Sequence, residues 1–320
     1  SKQVTTKSWK ATVRLRRCWS RTRMLTSLRI SKRQNEMLLE LQIREFLEKA
    51  NRGEVELPPE IVDQFAQECA DAIKRQFSKK REYSVRMSGL GRPICQQKME
   101  RDGYEEEKSY NDVLRFLFGD VVEAITMAVM RGAGVDIVDT QTKVTTKVGD
   151  SDIPGTLDVA IADEYGEPKV WDIKSASDYS FANKFAKGYR AIEADDVFGY
   201  IMQGHLYAEG YDAPFGGWIA VNKSSGEIAI VEADYTEKEH EAELKRAKDV
   251  LKKLDGPVHK RPPYESIEEK GTRNRLMPKP CTFCGFKKHC WKNAQLHPKV
   301  TSRAKFPPQV WYTKLVDREV

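Results

Sequence analysis

The chain has 320 residues, of which 40% are hydrophobic and 32% charged, which suits a soluble globular protein of one large domain or two small ones with a substantial core. No apolar run approaches the length of a membrane span, no secretory apolar segment opens the sequence, and six cysteines are too few for a disulfide scaffold at this length. The expectation is a reduced, cytoplasmic protein (host cytoplasm if phage-encoded) with no membrane partner.

The formal charge of +6 is unevenly spread. Residues 1–33 hold Lys2, Lys7, Lys10, Arg14, Arg16, Arg17, Arg21, Arg23, Arg29, Lys32 and Arg33 and no acid, so the body is mildly acidic and the basicity is an arm. Such an arm suits nucleic-acid phosphates, a disordered tail being the blander reading and an organelle transit peptide a further one, and Trp9 and Trp19 either stack on bases or pack on the body.

Residues 36–50 have apolar positions at helical spacing, closed by Asn51-Arg52-Gly53. Pro58-Pro59 opens a second helix over 60–77, with Ile61, Phe65, Cys69, Ile73 and Phe77 as its buried stripe. Residues 83–99 contain two glycines and a proline and read as a loop delivering Cys95. A long helix is expected over 110–130, with Val113, Phe116, Leu117, Val121, Ile125 and Val129 inward. Gly119 and Glu123 share a side of it, and Glu123 is either solvated at the helix edge or aimed into a site. Residues 135–148, rich in Val and Thr, predict one or two strands.

The centre of the chain is a predicted hairpin: 157–161, a turn over 163–168, then 169–173. Side chains alternate along a strand, which places Asp172 and Lys174 on one face and lets Asp158 approach them from across the hairpin. Two crowded carboxylates raise each other's pKa unless a cation relieves them, and oxygen ligands suit Mg2+ or Mn2+. Alone, this pattern also fits a solvated acidic turn with an incidental salt bridge.

Residues 175–190 interleave aromatics with basic residues, as a nucleic-acid groove, a lid or a plain amphipathic helix would. A helix with an Asp cap is expected over 195–209, with Gln203 and Tyr207 on one face. Strands over 215–221 and 227–231 and a charged surface helix over 236–254 follow. A long loop over 256–280 leads to Cys281-x2-Cys284 and Cys290, a strong metal-ligand spacing. Either an iron–sulfur cluster uses these three with Cys95, or tetrahedral zinc takes His289 or Cys95 as its fourth ligand.

Gly119-x3-Glu123, then Asp158, then Asp172-Ile173-Lys174, then Gln203-x3-Tyr207 resembles the RecB-type branch of the PD-(D/E)xK nucleases. One cysteine before and three after that core resemble its iron–sulfur members, the nuclease domains of AddAB-type helicase–nucleases and the small nucleases of CRISPR adaptation. The resemblance covers residues 84–291. It implies an α/β fold, a restriction-endonuclease-like core with a central mixed sheet flanked by helices. The expected division is a basic arm (1–35), a helical segment (36–82), the nuclease core (83–256), a cluster-binding segment (257–296) and a tail (297–320).

By the same resemblance Asp158 and Asp172 hold the catalytic ion with the Ile173 carbonyl, and Lys174 is the catalytic lysine. Gln203 and Tyr207 position that lysine and the DNA, while Cys95, Cys281, Cys284 and Cys290 ligate a 4Fe-4S cluster. Many relatives carry His where Glu123 stands; glutamate is a harder ligand that still suits Mg2+ or Mn2+. The expected function is a metal-dependent DNA exonuclease acting on ends in recombination or repair. Its alternatives are an endonuclease or nuclease subunit of a larger repair complex, and a catalytically weak DNA-end binding module. No P-loop motif is present, so any helicase would be a partner.

Overall fold

Residues 24–78, 82–106 and 109–318 are described by a computed structural model, with backbone alone over 24–37. The first helix, α1 (Met24–Asn51), starts well before residue 36, so the expected boundary between arm and helical segment falls inside it. Lys and Arg are good helix formers and no Gly or Pro interrupts the run, so basicity does not end the helix. Trp9, Cys18 and Trp19 lie outside the described residues.

Helix α2 (Pro59–Gln76) opens on proline as expected, but its stripe does not stay buried: Ile73 is exposed, and Phe77, just beyond the helix, is 71% exposed. Steps of four drift around a 3.6-residue helix, and the inward line passes instead through Cys69 and Ala72. The expected loop over 83–99 carries two short helices, α3 (Met87–Leu90) and α4 (Ile94–Arg101). Pro93 starts α4 from its N-cap, and Met87 and Leu90 are wholly buried, so the glycines bend this segment without freeing it.

Helix α5 (Asp112–Gly132) forms as expected but presents a different face. Val113, Phe116 and Ile125 are exposed, while Ala124, Met127, Ala128 and Met130 are buried. Only the C-terminal half packs on the sheet, and small residues there allow close approach. Among the described residues the first turns leave Val113, Leu114, Phe116 and Phe118 exposed.

Five strands then form one mixed sheet in the order β1 (Ile137–Val148), β2 (Ser151–Ala162), β3 (Pro168–Ala176), β4 (Phe215–Asn222), β5 (Ile228–Glu232). All neighbours are antiparallel except β3 and β4, whose parallel pairing needs the intervening crossover. That crossover carries α6 (Asp178–Asn183), α7 (Tyr189–Ala194) and α8 (Tyr200–Tyr211). Phe181, Phe185 and Tyr189 are buried with Trp218, so these three aromatics are core rather than a nucleic-acid groove.

Helix α9 (Glu237–Leu254) is fixed by a reciprocal capping box between Thr236 and Glu239. One sheet face packs on α8 and α9 through Leu157, Val170, Met202, Leu206 and Ala247. The other packs on α1 and α5 through Leu39, Ile43, Met127, Val159 and Trp171. Each such side chain removed from water contributes about 1.5–3 kcal/mol.

The C-terminal part builds a second sheet of four short strands, in the order β6 (Ile267–Glu268), β7 (Arg275–Leu276), β9 (Gln309–Lys314), β8 (Gln295–Pro298). Tyr312 in β9 is wholly buried and donates its hydroxyl to Glu269, so the tail is a structural strand. Between β7 and β8 lie two one-turn helices, α10 (Lys279–Thr282) and α11 (Lys287–Cys290). Among the described residues no helix is long and apolar enough to cross a membrane.

Candidate active site

The β2–β3 ladder runs from Ala162↔Pro168 to Val159↔Trp171 and stops. At the next residue the strands part, and the Asp158 carboxylate accepts the Ile173 backbone N–H at 2.8 Å. A side chain thus replaces a ladder bond and anchors Asp158 at the fork. Beyond the fork β3 pairs only with β4, through Asp172↔Trp218 and Lys174↔Ala220. Trp171 and Ile173 pack toward α1 and α5, so strand alternation turns Asp172 and Lys174 toward α8.

Asp172 is 1% exposed, and its carboxylate lies 2.6 Å from Lys174 Nζ. The Gln203 amide donates to the same carboxylate at 3.2 Å and lies 3.2 Å from the Tyr207 hydroxyl. Gln203 and Tyr207 stand one turn apart on α8, as their spacing predicted. That helix starts at Tyr200 rather than at 195, because Gly199, with φ +81, is its N-cap; Asp196 stands upstream of it, and its carboxylate accepts the N–H groups of Gly199, Tyr200 and Ile201.

Glu123 enters from α5. Burial, then the charges of Asp120 and Asp172, push its carboxyl up to about 7. Asp158 is pushed well above the usual carboxylate range by burial, then by Glu123 and Asp172. Burial alone would lower Lys174, but Asp172 and Asp158 outweigh it and hold the ammonium charged. Tyr207 is raised by burial and by the same two aspartates. Hydrogen bonds and an ion pair thus tie together Asp158, the Asp172–Lys174 pair, Gln203 and Tyr207, while Glu123, from a fourth element, lies within electrostatic reach of both aspartates. Among the described residues no three of these acids stand in metal-holding geometry. Ile173 lies between Asp172 and Lys174 and gives its amide proton to Asp158.

Three contributors were missed in the sequence. The Tyr200 ring lies under Lys174, with Nζ 4.9 Å from its centroid. Asp120, one turn before Glu123, presses on it electrostatically while accepting from Gln76 at 2.9 Å; acids three apart on a helix were the available signal. Gln141 donates its amide to Glu123 at 2.5 Å, and no spacing rule singles it out.

Cys95 sits on α4, Cys281 on α10 and Cys290 at the end of α11, with Cys284 between the last two; none is in a disulfide. Burial raises Cys95 to about 11, with Cys284 and Cys281 adding to it. Burial likewise raises Cys290 to about 12, helped by Cys281, Cys284 and Cys95. The four thiols thus share one poorly solvated region, a donor set suited to soft metals. Among the described residues no three or more His, Cys, Asp or Glu side chains stand in metal-holding geometry. His289 turns elsewhere: it lies 3.0 Å from the Glu105 carbonyl and packs edge-on to Tyr104. His259 Nε2 instead lies 3.3 Å from Cys290 Sγ. If the thiols take up iron or zinc, His289→Ala leaves the metal content unchanged while Cys95→Ala reduces it, as metal analysis of protein purified without oxygen will read.

The cysteine-bearing segments brace the site. Phe283 packs on Phe198, and Lys279 pairs with Asp195, just before α8. On the other side Gly91 lies directly on Gly199, where an added Cβ would come 2.6 Å from the Gly199 Cα. Gly199 itself has φ +81 and starts the helix that carries Gln203. Gly91→Ala must push that turn away, and such overpacking costs about 1–3 kcal/mol. A lowered urea midpoint with unchanged slope checks it.

No protein-family model and no curated protein matches the chain. Among solved structures it is similar to the crystal structure of SSO0001, at 14% identity over 71% of this chain and 94% of that chain, with a TM-score of 0.38. What the fold and site define is a mixed α/β protein with a carboxylate–lysine cluster at a strand fork.

Proposed function

We propose that the chain is a metal-dependent DNA exonuclease with a RecB-type PD-(D/E)xK active site and an iron–sulfur-bracketed core. The observation that supports it most is the crowding of Glu123, Asp158 and Asp172 around one lysine, two of the three acids pushed upward. Such crowding is unfavourable unless a cation relieves it, and a hard all-oxygen donor set fits Mg2+ or Mn2+. When held by these acids, such an ion supplies Lewis acidity toward water and the phosphate.

The chain's own groups do the rest. Asp158 is held in place by the Ile173 amide, and Asp172 by Gln203 and Lys174. Lys174 keeps its proton and offers a fixed positive charge to the phosphate as negative charge grows on it. Tyr200 supports its ammonium from below, and Tyr207 steadies Gln203. Cys95, Cys281, Cys284 and Cys290 would hold the cluster, which would staple α4 to α10 and fix the approach to α8.

The test is digestion of end-labelled linear and closed circular DNA with Mg2+ or Mn2+, using protein purified without oxygen. Linear DNA is shortened from an end and circles are spared. Cutting of circles would make the enzyme an endonuclease. Binding of ends without any cutting would leave a DNA-end binding module.

A further inference from the structure

We propose that Gln141 is a positioning residue for the divalent-cation site, holding the Glu123 carboxylate toward Asp158 and Asp172. The proposal rests on the metal reading of that site. Gln141 lies in the middle of β1, yet its φ is +48, in the left-handed region. Its neighbours pair regularly, Thr140 with Val159 and Thr142 with Leu157, which sets Gln141 opposite Asp158 at an interruption of the ladder.

The side-chain alternation of the hairpin switches at this place. Ile153 and Leu157 pack toward α8 and α9, whereas Val159 and Ile161 pack toward α1 and α5. On β1, Val144 and Val148 belong to the first group and Ile137 borders the second. Strict alternation would keep Leu157 and Val159 on one face. The left-handed residue makes the switch, and it leaves Asp158 at the point where both strands bend.

That explains the backbone but not the side chain. Glycine adopts this conformation at no steric cost, and asparagine more readily than glutamine. Glutamine is disfavoured there, yet its amide reaches across to α5 and donates to Glu123 Oε1 at 2.5 Å. A neutral donor is suited to the task. It fixes one carboxylate oxygen without neutralising the charge, whereas Lys or Arg would form an ion pair and compete with a cation.

The experiment is Mn2+ titration by calorimetry of wild type, Gln141→Gly and Gln141→Ala, with thermal melting of each without metal. Gln141→Gly relieves the backbone and melts at or above the wild-type temperature, yet binds Mn2+ about 5- to 10-fold more weakly. Gln141→Ala keeps the strained backbone without the amide and loses Mn2+ affinity to a similar extent. A merely structural glutamine would give the reverse for glycine: lower melting temperature, unchanged affinity. Equal Mn2+ affinity in wild type and both variants overturns the role of Gln141 and leaves the nuclease reading standing. A wild type that takes up no Mn2+ overturns both.

Discussion

Lys174→Ala abolishes DNA cleavage, lowering the rate by about 10²–10³-fold, the loss expected when one fixed donor to a developing charge is removed. The same substitution destabilises the protein. Asp172 is 1% exposed and keeps only the Gln203 amide once the ammonium at 2.6 Å is gone. Removing one partner of a buried pair costs about 3–5 kcal/mol because the remaining charge is uncompensated. Asp158 and Glu123, whose charges Lys174 also offsets, add to the deficit. Lys174→Met separates the two effects: it restores packing over the Tyr200 ring but not the charge. Cleavage of end-labelled DNA and urea unfolding read the two losses independently. A Lys174→Ala protein that still cuts at the wild-type rate would remove this cluster from the reaction.

Without divalent metal the protein is more stable at pH 5.5 than at pH 8, the opposite of a protein whose acids are all satisfied. Glu123 titrates near 7 in the folded state against 4.5 for the free side chain, and Asp158 is raised well above 3.8. At these two acids the folded chain binds more protons than the unfolded one, so their contribution is present in full below the unfolded values and declines as pH rises through the folded ones. Burial lowers His205 to about 4 and also lowers His259, which works the other way only below about pH 6.5, and the two raised acids outweigh it. The loss from Glu123 is about 1–3 kcal/mol once its partial exposure is allowed for. Mg2+ or Mn2+ replaces those protons. The metal-induced rise in melting temperature is therefore larger at pH 8 than at 5.5, and cleavage falls on the acid side of about pH 7 as protons compete for Glu123. Lys174 stays charged across this range and does not distort the profile. Melting curves with EDTA and with Mg2+ at the two pH values give the result. A metal-free protein most stable at pH 8 and indifferent to Mg2+ would mean the acids are not crowded as described.

The readings that held rest on strict local rules. Period-two alternation put Asp172 beside Lys174, a four-residue helical step put Gln203 beside Tyr207, and the turn over 163–168 set the hairpin. The element types of the main sheet and of the helices around it followed from periodicity and breakers. The readings that failed concern which side of an element faces inward. Phe116 is apolar and helical yet 59% exposed, because no described residue covers it in the first turns of α5. Phe181, Phe185 and Tyr189 fit a groove, a lid or an amphipathic helix by sequence, and burial decides for the packed face, because the β3–β4 crossover folds them under β4. Cys95 lies on a helix rather than a loop because Pro93 begins one. The second sheet was not anticipated, since two of its strands have only two residues and the others four and six, too short to carry a clear period.

The sequence by itself supplied the candidate residues: three acids, one lysine, the Gln–Tyr pair and four cysteines, singled out by spacing within each element and gathered into one proposed site only by the resemblance. Tertiary structure alone decided how they act together. The fork at Asp158, the left-handed bend at Gln141, the Tyr200 ring under Lys174 and the contact of Gly91 with Gly199 join residues far apart in the chain. No local rule reaches them, because local periodicity fixes which way a side chain leaves its own element, and only packing fixes what it meets.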